Sequence, residues 1–174
     1  LEASEPAVNY DGTSGNDVMT GSAGANSMRG FEGDDEISGL GGDDTLDGGD
    51  GADELYGGDG DDLIYGGAAN PVQNDILDGG HGNDTLHGYR GDDTLTGGTG
   101  GNFLYGGMGD DTYIYAGGSD VLAEEGSGGT DILELPDGIE LADLDLYRIQ
   151  TRSSTTTFND LLIRIDGGGS IQIG

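Results

Sequence analysis

Cysteine and tryptophan are absent from the 174 residues, lysine is absent too, and the five basic side chains are all arginine. The lack of cysteine excludes a disulfide framework and thiolate metal sites, so a secreted form would need some other staple for its core. Arg29, Arg90, Arg148, Arg152 and Arg164 are too few and too scattered to form a patch. With a formal charge of −30 they argue against nucleic acid and anionic membrane surfaces as partners. No apolar run approaches the roughly 20 residues of a membrane span. No charged-then-apolar leader opens the chain, and residues 1–6 read as a linker remnant. An H-E-x-x-H zinc motif, a G-x-S-x-G elbow and an EF-hand loop are all missing, so no enzymatic activity is expected. At 32% hydrophobic content and this charge, composition alone describes a disordered chain.

What is present overturns that description. The chain has thirty-nine glycines, most of them in a nine-residue unit, G-G-x-G-x-D-x-U-x with U large and apolar, which recurs over 12–114. It runs GTSGNDVMT, GSAGANSMR, GFEGDDEIS, GLGGDDTLD, GGDGADELY and GGDGDDLIY, then GGAANPVQNDILD, GGHGNDTLH, GYRGDDTLT, GGTGGNFLY and GGMGDDTYI. Looser copies follow in YAGGSDVLA and GSGGTDILE. Position six is Asp17, Asn26, Asp35, Asp44, Asp53, Asp62, Asp75, Asp84, Asp93, Asn102, Asp111, Asp120 and Asp131. Position eight is Met19, Met28, Ile37, Leu46, Leu55, Ile64, Leu77, Leu86, Leu95, Leu104, Tyr113, Leu122 and Leu133.

One oxygen-bearing and one apolar side chain per unit dictate a simple architecture. Glycine admits positive φ, so a tight loop can turn its carbonyls inward. The three residues after position six suffice for a short strand with only the middle one facing in. Loop and strand then alternate at about 18 residues per turn, giving an all-β fold, a parallel β-roll of two sheets face to face. Its thin apolar core is outweighed by the conformational entropy of ordering so much glycine. Stacked aspartates also repel one another about 5 Å apart. Calcium takes six to eight oxygens at about 2.3–2.6 Å, which suits carbonyls plus carboxylates, so folding is expected to require it.

The repeat resembles the RTX (repeats-in-toxin) family over 12–135, and the remainder resembles the segment that follows such blocks in large secreted toxins and adhesins. In that family's β-roll a calcium ion sits between loops one full turn apart. The earlier loop gives the carbonyls of positions two and four with its Asp, and the later loop those of positions one and three with its Asp. The resemblance therefore implies one stack of Asp17, Asp35, Asp53, Asp75, Asp93, Asp111 and Asp131. A second stack holds Asn26, Asp44, Asp62, Asp84, Asn102 and Asp120. The implied earlier-loop carbonyls belong to Thr13 and Gly15, Phe31 and Gly33, Leu40 and Gly42, Gly49 and Gly51, Gly58 and Gly60, Gly80 and Gly82, and Tyr89 and Gly91. The implied later-loop carbonyls belong to Gly30 and Glu32, Gly39 and Gly41, Gly48 and Asp50, Gly57 and Asp59, Gly79 and His81, Gly88 and Arg90, Gly97 and Thr99, and Gly106 and Met108. Two stacks leave at most about eleven gaps, of which roughly seven to nine are expected to hold Ca2+.

Departures single out particular loops. Asn26 and Asn102 lose a charge, and the insert 69–73 distorts the loop ending at Asp75, so these sites are expected to be weaker or empty. The chain divides into a tail or linker (1–11), the roll (12–135) and a capping segment (136–174). In the last of these, 136–144 reads as a turn and one helical turn, and 146–149, 161–165 and 170–173 alternate like antiparallel strands. The cap is expected to shield the open end of the solenoid. His81 and His87 are expected to face solvent, and the Asp-Asp pairs are read as repeat positions rather than catalytic dyads. Tyr56, Tyr65 and Tyr105 at position nine face out.

The resemblance implies a secreted, extracellular module, exported unfolded through type I secretion machinery and folding in calcium outside. The family's C-terminal secretion signal is not evident after IQIG, so a fragment of a larger RTX protein is expected. Two alternatives stand beside this. One is a binding module, adhesin-like or ice-binding, although position seven (Val18, Ser27, Glu36, Thr45, Glu54, Leu63, Ile76, Thr85, Thr94, Phe103, Thr112) is too irregular for an ice-matching ladder. The other is the C-terminal module of an RTX hydrolase whose catalytic domain precedes residue 1.

Overall fold

A computed structural model describes residues 8–67, 72–123, 129–136, 161–165 and 169–173. Two sheets wind around one another as a parallel solenoid, and no helix occurs among the described residues. The first sheet holds β1 (Val8–Asp11), β3 (Asn26–Glu32), β5 (Thr45–Asp50), β7 (Leu63–Gly67), β9 (Thr85–Arg90), β11 (Phe103–Met108) and β13 (Val121–Ala123), in that order. The second holds β2 (Val18–Thr20), β4 (Glu36–Gly41), β6 (Glu54–Asp59), β8 (Ile76–His81), β10 (Thr94–Thr96), β12 (Thr112–Ile114) and β14 (Asp131–Leu135). Beyond β14 the second sheet continues into β15 (Leu161–Ile165) and β16 (Gly169–Ile173). From β1 to β14 successive strands alternate between sheets, as the repeat requires.

Register follows the period. Glu36 pairs with Glu54 and Thr45 with Leu63, each one turn of the repeat onward. Where the insert adds residues, Glu54 pairs with Ile76 and Leu63 with Thr85, and both sheets pass it unbroken. The extra residues leave the ladder in step because only the loop lengthens. Residues 68–71 of it lie outside the described ones.

Most strands are longer than the three residues expected after position six. β6 runs from position seven of one unit to position three of the next, with burial alternating along Glu54, Leu55, Tyr56, Gly57, Gly58 and Asp59. Leu55 and Gly57 are the buried pair. Position-one glycine thus serves as the second inward residue of a strand, small enough to let the chain bend behind it into the loop.

The core is the position-eight column. Met28, Ile37, Leu46, Leu55, Ile64, Leu77, Leu86, Leu95, Leu104, Tyr113, Leu133 and Leu135 are buried, and Met19 and Leu122 pack partly against them. The Tyr113 hydroxyl accepts from the Gly106 N–H at 2.8 Å, which satisfies the one polar atom in this column.

Two elements differ from expectation. The last four residues of the supposed tail form β1, paired in parallel with β3, and Tyr10 packs on the core at a position-eight register. β15 adds to β14 in parallel, and only β16 on β15 is antiparallel. The expected elements at 137–144 and 146–149 lie outside the described residues.

Candidate metal centre

Every loop closes by the same exchange between turns. The backbone N–H of a position-six residue donates to Oδ1 of the position-six residue one turn later. Asp17 donates to Asp35 at 2.8 Å, Asp35 to Asp53 at 2.8 Å and Asp53 to Asp75 at 2.9 Å. In the other stack Asp44 donates to Asp62, Asp62 to Asp84 and Asp84 to Asn102, each at 2.8 Å. The ladder continues through Asp75 to Asp93, Asp93 to Asp111 and Asp111 to Asp131. The carbonyl of the same residue accepts the position-seven N–H of the later turn, as Asp44 does from Leu63 at 2.9 Å. Both expected stacks are therefore assembled, and the insert does not displace Asp75.

The second carboxylate oxygen is the informative atom. Oδ2 of Asp35, Asp44, Asp53, Asp62, Asp84, Asp93 and Asp111 is buried with no hydrogen-bond partner. An unpaired anionic oxygen in the interior is costly unless a cation faces it. Burial pushes these carboxyls up, opposed by the N–H of the preceding turn and reinforced by neighbouring carboxylates. Asp53, Asp84 and Asp93 rise to about 6, Asp62 and Asp111 to about 7, and Asp75 to about 8. Asp35, Asp44, Asp120 and Asp131 shift in the same direction, again through burial.

Carbonyls crowd the same place. A Cβ added to Gly48 would press on Asp53 Oδ2 and lie 2.7 Å from the Gly66 carbonyl of the next turn. Gly57 stands in the same relation to Asp62 Oδ2 and the Gly79 carbonyl. Glycine at position one thus leaves space for these oxygens, whereas at positions two and four it also supplies a left-handed backbone: Gly49 and Gly51 have φ of 110° and 152°. Phe31, Leu40 and Tyr89 occupy position two at φ of 83°, 74° and 73°, a left-handed backbone that side chains seldom adopt. Position-three carbonyls accept the position-four N–H of the turn before, as Asp50 does from Gly33 and Asp59 from Gly42. Each retains a second lone pair.

Among the described residues no cluster of three or more His, Asp or Glu side chains could hold a metal. Each gap instead offers at most two carboxylates, surrounded by backbone oxygen. That donor set fits a hard cation such as calcium, and it does not fit zinc, which prefers nitrogen and sulfur.

Position five has a role that its composition did not disclose. Its side-chain oxygen accepts the backbone N–H of position five one turn later. Asn16 receives Asp34 at 3.0 Å, Asp34 receives Ala52 at 3.1 Å and Asp43 receives Asp61 at 3.0 Å. Asp61 receives Asn83, Asn74 receives Asp92 and Asp92 receives Asp110 in the same way. Position six grips the turn before it and position five the turn after it. The Asp-Asp pairs are two opposed stitches, and Asp or Asn at both sites is the sequence signal that could have revealed them.

Some loops depart from the pattern. In the first unit the Thr13 N–H and hydroxyl donate to Asp17 Oδ2 at 2.6 and 2.9 Å, so this oxygen is already engaged. In the insert loop Gln73 stands two residues before Asp75, in the place of a position-four glycine, and its Oε1 is also buried without a partner. Asp120 accepts from the Asn102 backbone N–H at 3.3 Å and Asp131 from Asp111 at 3.1 Å, so the loosest copies still keep the ladder. His81 is exposed and its ring Nδ1 pairs with Thr99 Oγ1 at 2.7 Å. His87 is not simply solvent-facing, because it lies between Tyr65 and Tyr105 with ring centroids 5.3 and 4.6 Å away. The two histidines are on different sheets.

A family model described as the RTX calcium-binding nonapeptide repeat matches in four copies, at residues 11–46, 38–72, 73–95 and 87–122. No curated protein matches the chain.

Proposed function

The chain belongs to the family of RTX calcium-binding nonapeptide-repeat proteins, and from that premise we propose that it is a calcium-gated folding module of a secreted protein. The observation that carries the reading is the column of buried, unpartnered Oδ2 atoms from Asp35 to Asp111. Bound calcium supplies the positive charge and the multiple oxygen coordination that this column lacks. In each gap between two aspartates the earlier loop presents its carboxylate with carbonyls of positions two and four, and the later loop presents those of positions one and three with its own carboxylate. Between Asp44 and Asp62 these are the carbonyls of Leu40, Gly42, Gly57 and Asp59.

Without the ion, like charges one strand spacing apart oppose closure and the chain stays expanded. With it, the turns are cross-linked and the thin position-eight column suffices as a core. A chain of this kind stays unfolded in a calcium-poor cytosol and needs no disulfide to set its final shape outside. That behaviour suits export through type I secretion machinery as part of a larger RTX protein. A second reading, an extracellular ligand-binding module, draws on the outer-face stack of Tyr65, His87 and Tyr105.

Far-UV circular dichroism during a calcium titration from chelator to about 10 mM, with magnesium as control, tests the main reading. A steep coil-to-β transition is expected with calcium alone. A β signal already complete in chelator would sink the gating mechanism.

A further inference from the structure

The two asparagines at position six differ from the aspartates in an atom placed where the metal would be. In the Asn26 loop, Nδ2 takes the place of the unpartnered Oδ2, beside the position-one glycine: a Cβ added to Gly21 would lie 3.0 Å from it. From there the two hydrogens of Nδ2 are shared among four acceptors within reach: the Gly24 carbonyl, the Ser22 carbonyl at 3.2 Å, the Gly39 carbonyl of the next turn at 3.4 Å and Asp44 Oδ1 at 2.9 Å. By position these are two and four of the earlier loop, then one and the carboxylate of the later loop. They are the same places from which the aspartate loops would draw oxygens for calcium.

The opposite face of the amide fixes its orientation. Asn26 Oδ1 accepts from the Ser22 N–H and hydroxyl, both at 3.2 Å. Reversing the amide would set an oxygen against carbonyls and a carboxylate and point a donor at donors. Asn102, near the other end of the same stack, shares part of this arrangement: its Oδ1 accepts the Asp84 N–H at 2.8 Å, a Cβ on Gly97 would lie 2.6 Å from its Nδ2, and Nδ2 donates to Asp120 Oδ1 at 2.8 Å.

We propose that the carboxamide NH2 groups of Asn26 and Asn102 are built-in replacements for calcium, closing the Asn26–Asp44 and Asn102–Asp120 gaps without metal. The amide brings donor hydrogens to an all-acceptor cage and removes one of two facing charges, so nothing is left for a cation to neutralise except a single hydrogen-bonded carboxylate. The gap between Asp84 and Asn102 is different, because there the earlier loop contributes the unpartnered Asp84 Oδ2 and remains a calcium site. The second stack thus has a metal-independent rung near each end, with its calcium gaps between them.

This inference rests on the calcium reading, and one experiment separates their failures. Bound calcium is counted by native mass spectrometry at saturating calcium for the wild type, Asn26→Asp and Asn26→Asp/Asn102→Asp. One extra ion is expected in the single variant and two in the double, each with a higher calcium midpoint for folding. Equal counts in all three would overturn the proposal alone, and a wild type that binds no calcium would overturn the calcium reading with it. A measurement on the wild type does not depend on the variants folding. Hydrogen exchange of the Asn26 side-chain NH2 in the calcium-loaded protein should be at least about tenfold slower than in a free asparagine. Free exchange there would overturn the proposal.

Discussion

Asp43 and Asp62 are each one atom group in a repeat, yet they do different work. Asp43 Oδ1 receives the Asp61 N–H at 3.0 Å on an exposed edge, while Asp62 receives the buried Asp44 N–H and leaves Oδ2 unpaired in a gap. Asp43→Ala should lower the stability of the calcium-loaded roll by about 1 kcal/mol, the usual worth of one hydrogen bond, with the number of bound ions unchanged. Asp62→Ala should lose at least one ion and raise the calcium midpoint, because the carboxylate serves the gaps on both sides of it. Calorimetric ion counting on the two variants distinguishes them, and an ion lost from Asp43→Ala would refute the division of roles. The stacking of position six was legible because a polar side chain at fixed spacing must align once the repeat is wound into turns. The position-five ladder was not read, since Asp and Asn are also what any turn contains, and their recurrence there becomes a signal only once the turns are stacked.

A strand of this roll joins residues that the sequence keeps 18 or more apart, and its properties come from the column rather than the unit. The position-six column carries a pH dependence of definite sign. These carboxyls start from an ordinary value of 3.8 and rise in the folded roll to about 6 for Asp53, about 7 for Asp62 and about 8 for Asp75. Protons are therefore bound more tightly by the folded, metal-free chain than by the unfolded one. Their stabilisation is complete below the unfolded value and is lost as pH rises through about 6 to 8. In chelator, β signal should be greater near pH 4 than at pH 8, and calcium affinity should increase over the same rise as protons leave the ligands. A metal-free β signal that grew with pH would contradict the burial of these groups. Strand existence was legible from position eight, but strand length was not. Glycine pairs read as turns, whereas Gly57 and Gly58 continue β6 because a side-chain-free residue can face inward beside a carboxylate. The stack of Tyr65, His87 and Tyr105 was hidden for a related reason: the insert lies between its first two members, and only the paired register brings them level.

At the scale of the molecule, the ends carry what the interior does not. β1 has Val8 where every later unit has Asp or Asn, so the repeat begins in the backbone before it begins in the ligands, and no motif could announce it. At the other end β15 pairs with all five residues of β14 and covers an edge that would otherwise be open. Deleting 136–174 should raise the calcium midpoint for folding in the circular dichroism titration. An unchanged midpoint would mean that covering this edge contributes nothing to closure of the last turn.

The uniform register also sets how the molecule would yield to force. Strands stack about 4.8 Å apart, so each turn of 18 residues stores a contour of roughly 60 Å in one strand spacing along the axis. A pull on the two ends loads similar interfaces in series, and turns would peel one at a time, each regular turn releasing nearly the same length. The turn holding the insert would release more. Where calcium closes a gap between turns, as proposed for the aspartate loops, its ambient concentration would set the tension at which that step occurs, making the roll an extensible tether whose stiffness is chosen by its surroundings.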